Sequence, residues 1–211
     1  MSFRQYKSYR KTNKDLNMRI IHNYINRRIY QKAIKLLSIN FDDNNVFFEF
    51  DDEISYVMDF AINDIKTRGK TLAQLYQKDI GGKSKIQNQI LQAMISSYTS
   101  LFRVEKTNNT NHAITLYDLL NNNKIKIIDY HLNMSLRKDI LIFCRVLCFD
   151  GFSMTSGIEF VFPAGIEKYL LTEYEKIKKK IKRQPPEIVR FVAFFMLNRT
   201  DGNDVMYVDP P

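Results

Sequence analysis

Apolar side chains recur at helical spacing through the first hundred residues of the chain. From about Asp15 to Leu37 they lie three or four residues apart, with basic side chains on the remaining surface. Further helices are predicted from the acidic start at 51–53 to Gly69, over 71–76 and over 83–100. Residues 1–14 are predicted to be a polar arm, in which Phe and Tyr alternate with Arg and Lys.

Alternation with a period of two residues replaces this helical pattern in the middle of the chain. Asn-rich turns and an Asp150–Gly151 hairpin turn separate the strand-like runs, so we expect a small barrel or a strongly curled sheet. The run 139–149 is apolar on both faces except at Arg145, which indicates a filled interior and helices outside. The five runs are 101–106, 112–118, 124–130, 139–149 and 152–162.

Two more helices are predicted near the end of the chain. The first begins after Gly165 and is rich in lysine, and Pro185 and Pro186 end it. The second runs from Glu187 to about Asn198 and is apolar nearly all round, so it must be buried in this chain or in a partner. We expect a protein partner or a homodimer to cover its side chains Phe191, Phe194, Phe195 and Leu197.

These patterns together predict an α+β protein with three regions. Residues 1–100 form the basic arm and the N-terminal helices, and residues 101–164 form a central five-stranded small β-barrel. Residues 165–211 form a C-terminal helical pair and a tail.

Residues 100–162 resemble a small β module found in uncharacterised bacterial proteins. The resemblance lies in segments 116–120, 128–132 and 136–140 and in Arg145 with Val146. Lys138 stands where the module usually has a glycine before its aspartate, and the Cys-rich zinc tail of some of these proteins does not follow. The resemblance implies the barrel and a bacterial type of origin, and it implies no activity.

Positive charge is concentrated at the start of the chain. The first 37 residues hold ten basic side chains and one acid, Asp15, which accounts for the whole net charge of +9. A field focused in this way attracts polyanions or an acidic protein face. Cations bind phosphates, and aromatic rings placed among them can stack on unpaired bases.

We therefore expect a non-catalytic nucleic-acid-binding subunit for RNA or single-stranded DNA that uses the basic arm and helix. A second cluster of cations between Lys168 and Arg183 extends the candidate surface. The candidate binding residues are Arg4, Tyr6, Lys7, Tyr9, Arg10, Lys11, Arg19, Arg27, Arg28, Lys32, Lys179, Lys180, Lys182 and Arg183.

Three alternatives stay open at this point. Residues 42–64 carry eight acids and no Lys or Arg, so they can neutralise the basic helix within the chain. A protein-interaction or regulatory subunit of a larger assembly could use the same arm and the apolar last helix. A metal-dependent nuclease could use carboxylates such as Asp51 and Asp52, although those acids also have a structural reason to begin a helix.

The remaining chemistry of the sequence predicts little else. Cys144 and Cys148 are expected to be core thiols in a reducing compartment, and the three histidines lack metal-ligand spacing. The longest apolar run, Phe191–Leu197, is too short to span a bilayer. We expect a cytoplasmic protein with no catalytic residues, no cofactor, no metal site and no membrane partner.

Overall fold

The computed structural model describes residues 2–42, 45–181 and 183–203. The chain divides into two compact units, with the boundary between Ser97 and Tyr98. The central strands and the C-terminal helices belong to one unit, although the sequence placed them in separate regions. Each unit is described by itself.

The first unit is helical and includes a small two-stranded ribbon. α1 contacts α3, α4 and α5, and α3 also packs against α2. The described elements are α1 (Phe3–Tyr24), α2 (Arg27–Leu36), β1 (Asn40–Phe41), β2 (Val46–Phe47), α3 (Glu53–Asn63), α4 (Leu72–Asp79) and α5 (Lys85–Ile95).

The predicted polar arm is wrong, because α1 begins at Phe3. Ser2 caps this helix: its hydroxyl accepts from the Gln5 amide at 3.3 Å, and the Gln5 side chain accepts from the Ser2 amide at 2.9 Å. The long basic helix predicted from Asp15 is also two helices. Asn26 is extended, with φ −112° and ψ 172°, and its side chain accepts from the Ile29 amide to start α2.

The second unit is a curled antiparallel sheet with helices. Its strands lie in the order β5-β4-β3-β6-β7, so every ladder joins antiparallel neighbours. The described elements are β3 (Tyr98–Asn108), β4 (Ala113–Asp118), β5 (Asn123–Ile128), α6 (Tyr130–Ser135), β6 (Leu141–Phe149), β7 (Phe152–Phe162), α7 (Glu167–Lys180) and α8 (Pro186–Asp201).

The α+β class is confirmed, but closure of the sheet into a barrel is not. β5 and β7 contact each other, yet no ladder joins them among the described residues. The β5 ladder ends at Ile128, because Asp129 caps α6 by accepting from the His131 and Leu132 amides. On β7, the Val161 carbonyl accepts from the Asn203 amide at 2.7 Å. The chain therefore leaves the sheet after β5 to begin α6, and the outer edge of β7 pairs with Asn203 at Val161.

The prediction that β6 is buried on both faces is confirmed. One face contributes Cys144 to a core cluster with Phe102 and Leu116. The other face carries Phe143, whose ring stacks on Phe194 of α8 with centroids 4.5 Å apart. Cys148, in contrast, is exposed at the end of the strand, so the prediction of two core thiols holds for Cys144 alone.

The apolar helix α8 is covered by its own unit, through contacts with β3, β7 and α7. The side chains predicted to face a partner are buried there, and Phe143 and Phe160 of the sheet lie against them. They offer no surface to a second protein, so the interface predicted on them is wrong. They are Phe191, Phe194, Phe195 and Leu197.

Candidate nucleic-acid interface

Four cations follow one line along the solvent face of α1. Arg4, Lys7, Lys11 and Lys14 are separated by three or four residues and are all exposed. Tyr6, Leu16 and Ile20 are buried on the opposite face of the helix. We call these four cations the α1 ridge. At 1.5 Å per residue, the ridge is about 15 Å long.

The α1 ridge is not ion-paired. In residues 2–42, 45–181 and 183–203, no carboxylate forms an ion pair with any of its four side chains. Like charges three or four residues apart destabilise a helix by about 0.2–0.5 kcal/mol per pair, and Arg4 also lies at the positive end of the helix dipole. Helix stability therefore does not explain these cations, because they work against it.

The aromatic residues between these cations are held by the fold. Tyr6 is buried, and its hydroxyl accepts from Arg10 Nε at 2.7 Å. The Tyr9 hydroxyl donates to Gln89 Oε1 of α5 at 2.7 Å, and Lys7 Nζ lies 4.3 Å from the centre of the Phe3 ring. Tyr6 was predicted to contact nucleic acid, and its burial corrects this. Tyr9 is half-buried, and its contact with nucleic acid stays a prediction.

A second row of cations lies on α2. Arg28, Lys32 and Lys35 are exposed, while Ile29 and Ala33 are buried on the other side of the helix. Lys35 Nζ lies 5.7 Å from the centre of the Phe41 ring. The predicted residues Arg19 and Arg27 are exposed as well. Lys35 was missing from the candidate set, although its spacing from Arg28 and Lys32 is helical.

The acidic segment is split between the interior and the surface. Glu53, Asp59 and Asp64 are buried; Glu53 accepts from the Glu49 amide at 3.1 Å, and Asp59 accepts from the Asn63 side chain at 3.2 Å. None of the described acids is ion-paired with the α1 ridge, so this ridge is not neutralised by contact. Asp43 lies outside the described residues.

The lysines of α7 form a separate group in the second unit. Lys176 and Lys178 bind Glu173 and Glu175 at 2.7 and 2.9 Å, and these carboxylates raise the pKa of both lysines. Cations in the last turn of a helix also stabilise its dipole. Lys179, Lys180 and Arg183 are exposed, and Lys182 lies outside the described residues. This cluster therefore has a structural explanation that the α1 ridge lacks.

Buried polar groups in the second unit close turns. Asp118 accepts from the Ser100 hydroxyl at 2.5 Å and from the Leu120 and Asn121 amides at 3.0 Å. Burial, and next the nearby Asp118 charge, raise the pKa of the Tyr98 hydroxyl. Asp118 thus fixes the turn after β4. Within the part of the chain that the structure describes, no group of three or more His, Cys, Asp or Glu side chains is arranged to hold a metal ion.

The described helices are all too short or too polar to cross a membrane. No curated protein and no solved structure matches the chain. The resemblance of residues 100–162 to a bacterial β module gains no support from these comparisons and stays a prediction. Residues 1–208 match the family of unknown function DUF7986, and the chain belongs to this family.

Proposed function

We propose that this protein is a non-catalytic nucleic-acid-binding subunit that contacts the phosphate backbone through the α1 ridge. The unpaired row Arg4, Lys7, Lys11 and Lys14 carries the proposal, because it costs helix stability and no described acid offsets it. A rigid helix also fixes the spacing of these cations, so less order is lost on binding than with a flexible arm.

The positions of Tyr6 and Tyr9 favour binding to phosphates over stacking on bases. Without exposed tyrosines on the ridge, base stacking has little support there, and contact with phosphates is the main attraction. Both RNA and DNA present such phosphates. The proposed binding is therefore strongly dependent on salt and weakly dependent on sequence.

Fluorescence anisotropy tests the proposal with single-stranded RNA, single-stranded DNA and duplex DNA of one length over a range of salt concentrations. The ridge variant changes Arg4, Lys7, Lys11 and Lys14 to Gln. It should bind more weakly and lower the log–log salt slope for duplex DNA by about 3.6, since each lost phosphate contact removes about 0.9.

A matched control removes four other exposed cations of the same unit. Arg68, Lys70, Lys78 and Lys83 are also one arginine and three lysines, and all are changed to Gln. The control should keep most of the affinity and slope. An equal loss in both variants would mean that net charge, and not the α1 ridge, attracts the nucleic acid.

A partner-binding role is the second candidate, since apolar side chains are exposed beside acids where α3 begins. The hypothesis of a metal-dependent nuclease has less support. Three of its carboxylates, Glu53, Asp59 and Asp64, are buried within the helical unit and could not meet a nucleic-acid strand.

A further inference from the structure

Large apolar side chains are exposed around the entry to α3. Phe47 on β2 is 55% exposed, Phe50 is 45% exposed, and Ile54 in the first turn of α3 is 37% exposed. Neighbouring backbone bonds hold this turn, with the Phe50 carbonyl accepting from the Glu53 amide at 3.1 Å and the Asp52 carbonyl from the Ser55 amide at 2.9 Å. These apolar side chains thus extend from an ordered turn into solvent.

Two unpaired acids lie among these apolar groups. Asp51 and Asp52 are exposed, and neither forms an ion pair with any described residue. We call Phe47, Phe50, Asp51, Asp52 and Ile54 the α3 entry patch. Its carboxylates repel phosphates, so nucleic acid does not fit it. A surface that combines cations with an apolar side chain does fit it.

The same chain carries a surface of that kind. Met18 lies four residues after Lys14, on the line of the α1 ridge, and is 59% exposed. The ridge thus presents four cations and then an apolar group, while the patch presents acids among apolar groups. The two surfaces complement each other in charge and in apolar character.

We infer that the α3 entry patch of one molecule binds the α1 ridge and Met18 of a second copy. The two surfaces differ, so the contact is head-to-tail and leaves one ridge and one patch open at the ends of the assembly. The number of copies in an assembly therefore keeps rising with concentration, unless the rotation between successive copies closes a ring of fixed size. Because the contact is partly electrostatic, added salt weakens it. The inference does not depend on nucleic-acid binding.

Light scattering and sedimentation of the intact protein at low salt test this inference without nucleic acid. The mass should rise above 25.0 kDa as concentration increases and should fall again when salt is added. Two charge-reversed variants then define the surfaces. The patch variant carries Asp51→Lys and Asp52→Lys, and the reversed-ridge variant carries Arg4→Glu, Lys7→Glu, Lys11→Glu and Lys14→Glu.

Each reversed variant should remain a monomer alone, because its patch and ridge then carry like charge. An equimolar mixture of the two variants should assemble again. The reversed patch of one variant attracts the reversed ridge of the other, and the native ridge and native patch of the same two molecules also attract each other. Arg68→Glu, Lys70→Glu, Lys78→Glu and Lys83→Glu together are the matched control for charge reversal, and this control should assemble like the wild type. Circular dichroism shows that each variant is folded.

Three results would overturn the inference. The first is a wild-type protein that stays monomeric at low salt. If this monomer binds a synthetic cationic amphipathic peptide, the α3 entry patch serves a different protein and not a second copy. The second is assembly that persists in both reversed variants. The third is a mixture of folded variants that fails to assemble. None of these results bears on the anisotropy experiment, so the two proposals can fail separately.

Discussion

α8 is covered on almost every side, whereas α1 leaves one whole face to solvent. The rings of Phe191, Phe194 and Phe195 are fully buried among aromatic residues of the sheet. α1 buries only one side, and the four cations of the α1 ridge on the other side have no ion-pair partner among the described residues. The apolar side chains of α8 are thus covered within their own unit, while the charged side chains of the α1 ridge stay in contact with solvent. Of the two helices, α1 is the one with a charged face open to solvent.

Charging the interior of α8 should have the largest effect. Phe194→Asp places a carboxylate among Phe143, Phe162 and Tyr174, and we expect it to lower the free energy of unfolding by at least about 4 kcal/mol. Met196→Asp is the control on the same helix, because Met196 is exposed. Chemical denaturation followed by circular dichroism measures both, and equal losses would contradict the covered position of Phe194.

The two faces of α1 should differ nearly as strongly. Tyr6→Ala removes a buried ring and the hydroxyl that binds Arg10, so we expect a loss of about 3 kcal/mol in the free energy of unfolding. Lys7→Ala, one residue along, should change this free energy by less than about 0.5 kcal/mol. If denaturation curves show similar values for both, the helix is not packed through Tyr6.

The break between the basic helices depends on Asn26. Asn26→Ala removes the acceptor for the Ile29 amide, and we expect a loss of about 1 kcal/mol in the free energy of unfolding. Asn26→Asp retains a capping oxygen and should restore most of it. A stable Ala variant would show that the packing of α2 alone fixes where the helix begins.

Removing the α1 ridge should have the smallest effect, and in the opposite direction. Gln has a helix propensity close to that of Lys and Arg, so the fourfold Gln variant mainly removes repulsion between neighbouring cations. We expect the free energy of unfolding to rise by about 0.5 kcal/mol at low salt, and the gain should shrink in high salt. A clear loss of stability would show that the ridge cations have structural partners.

Local patterns identified the elements well. Alternation and turn residues predicted all five strands of the sheet, and the Asp150–Gly151 hairpin joins Phe149 to Phe152, with Gly151 at φ +84°. Two failures had local signals that were missed: Ser2 and Gln5 form a capping box at the start of α1, and Asn26 caps α2. The contact of Tyr9 with Gln89, eighty residues away in the sequence, has no local signal.

Contacts between distant parts of the chain also determine that the sheet stays open and that α8 is buried. No local pattern states that Asn203 binds the edge of β7, or that Phe143 and Phe160 cover the rings of α8. For the candidate site, the concentration of charge was enough to find most cations of α1 and α2, but Lys14 and Lys35 were left out although both continue a helical spacing. The roles of Tyr6 and Tyr9 could not be predicted, because the pattern within residues 1–14 does not show which aromatic rings another helix will cover.

The unbroken course of α1 from Phe3 to Tyr24 sets a minimum length for the proposed nucleic-acid ligand. Arg4 and Lys14 are about 15 Å apart along the helix axis, and a duplex advances about 3.4 Å per base pair. A duplex that follows the ridge must therefore be about four or five base pairs long to meet all four cations. Longer duplexes gain no further contact with a single ridge, so affinity per site should level off near this length.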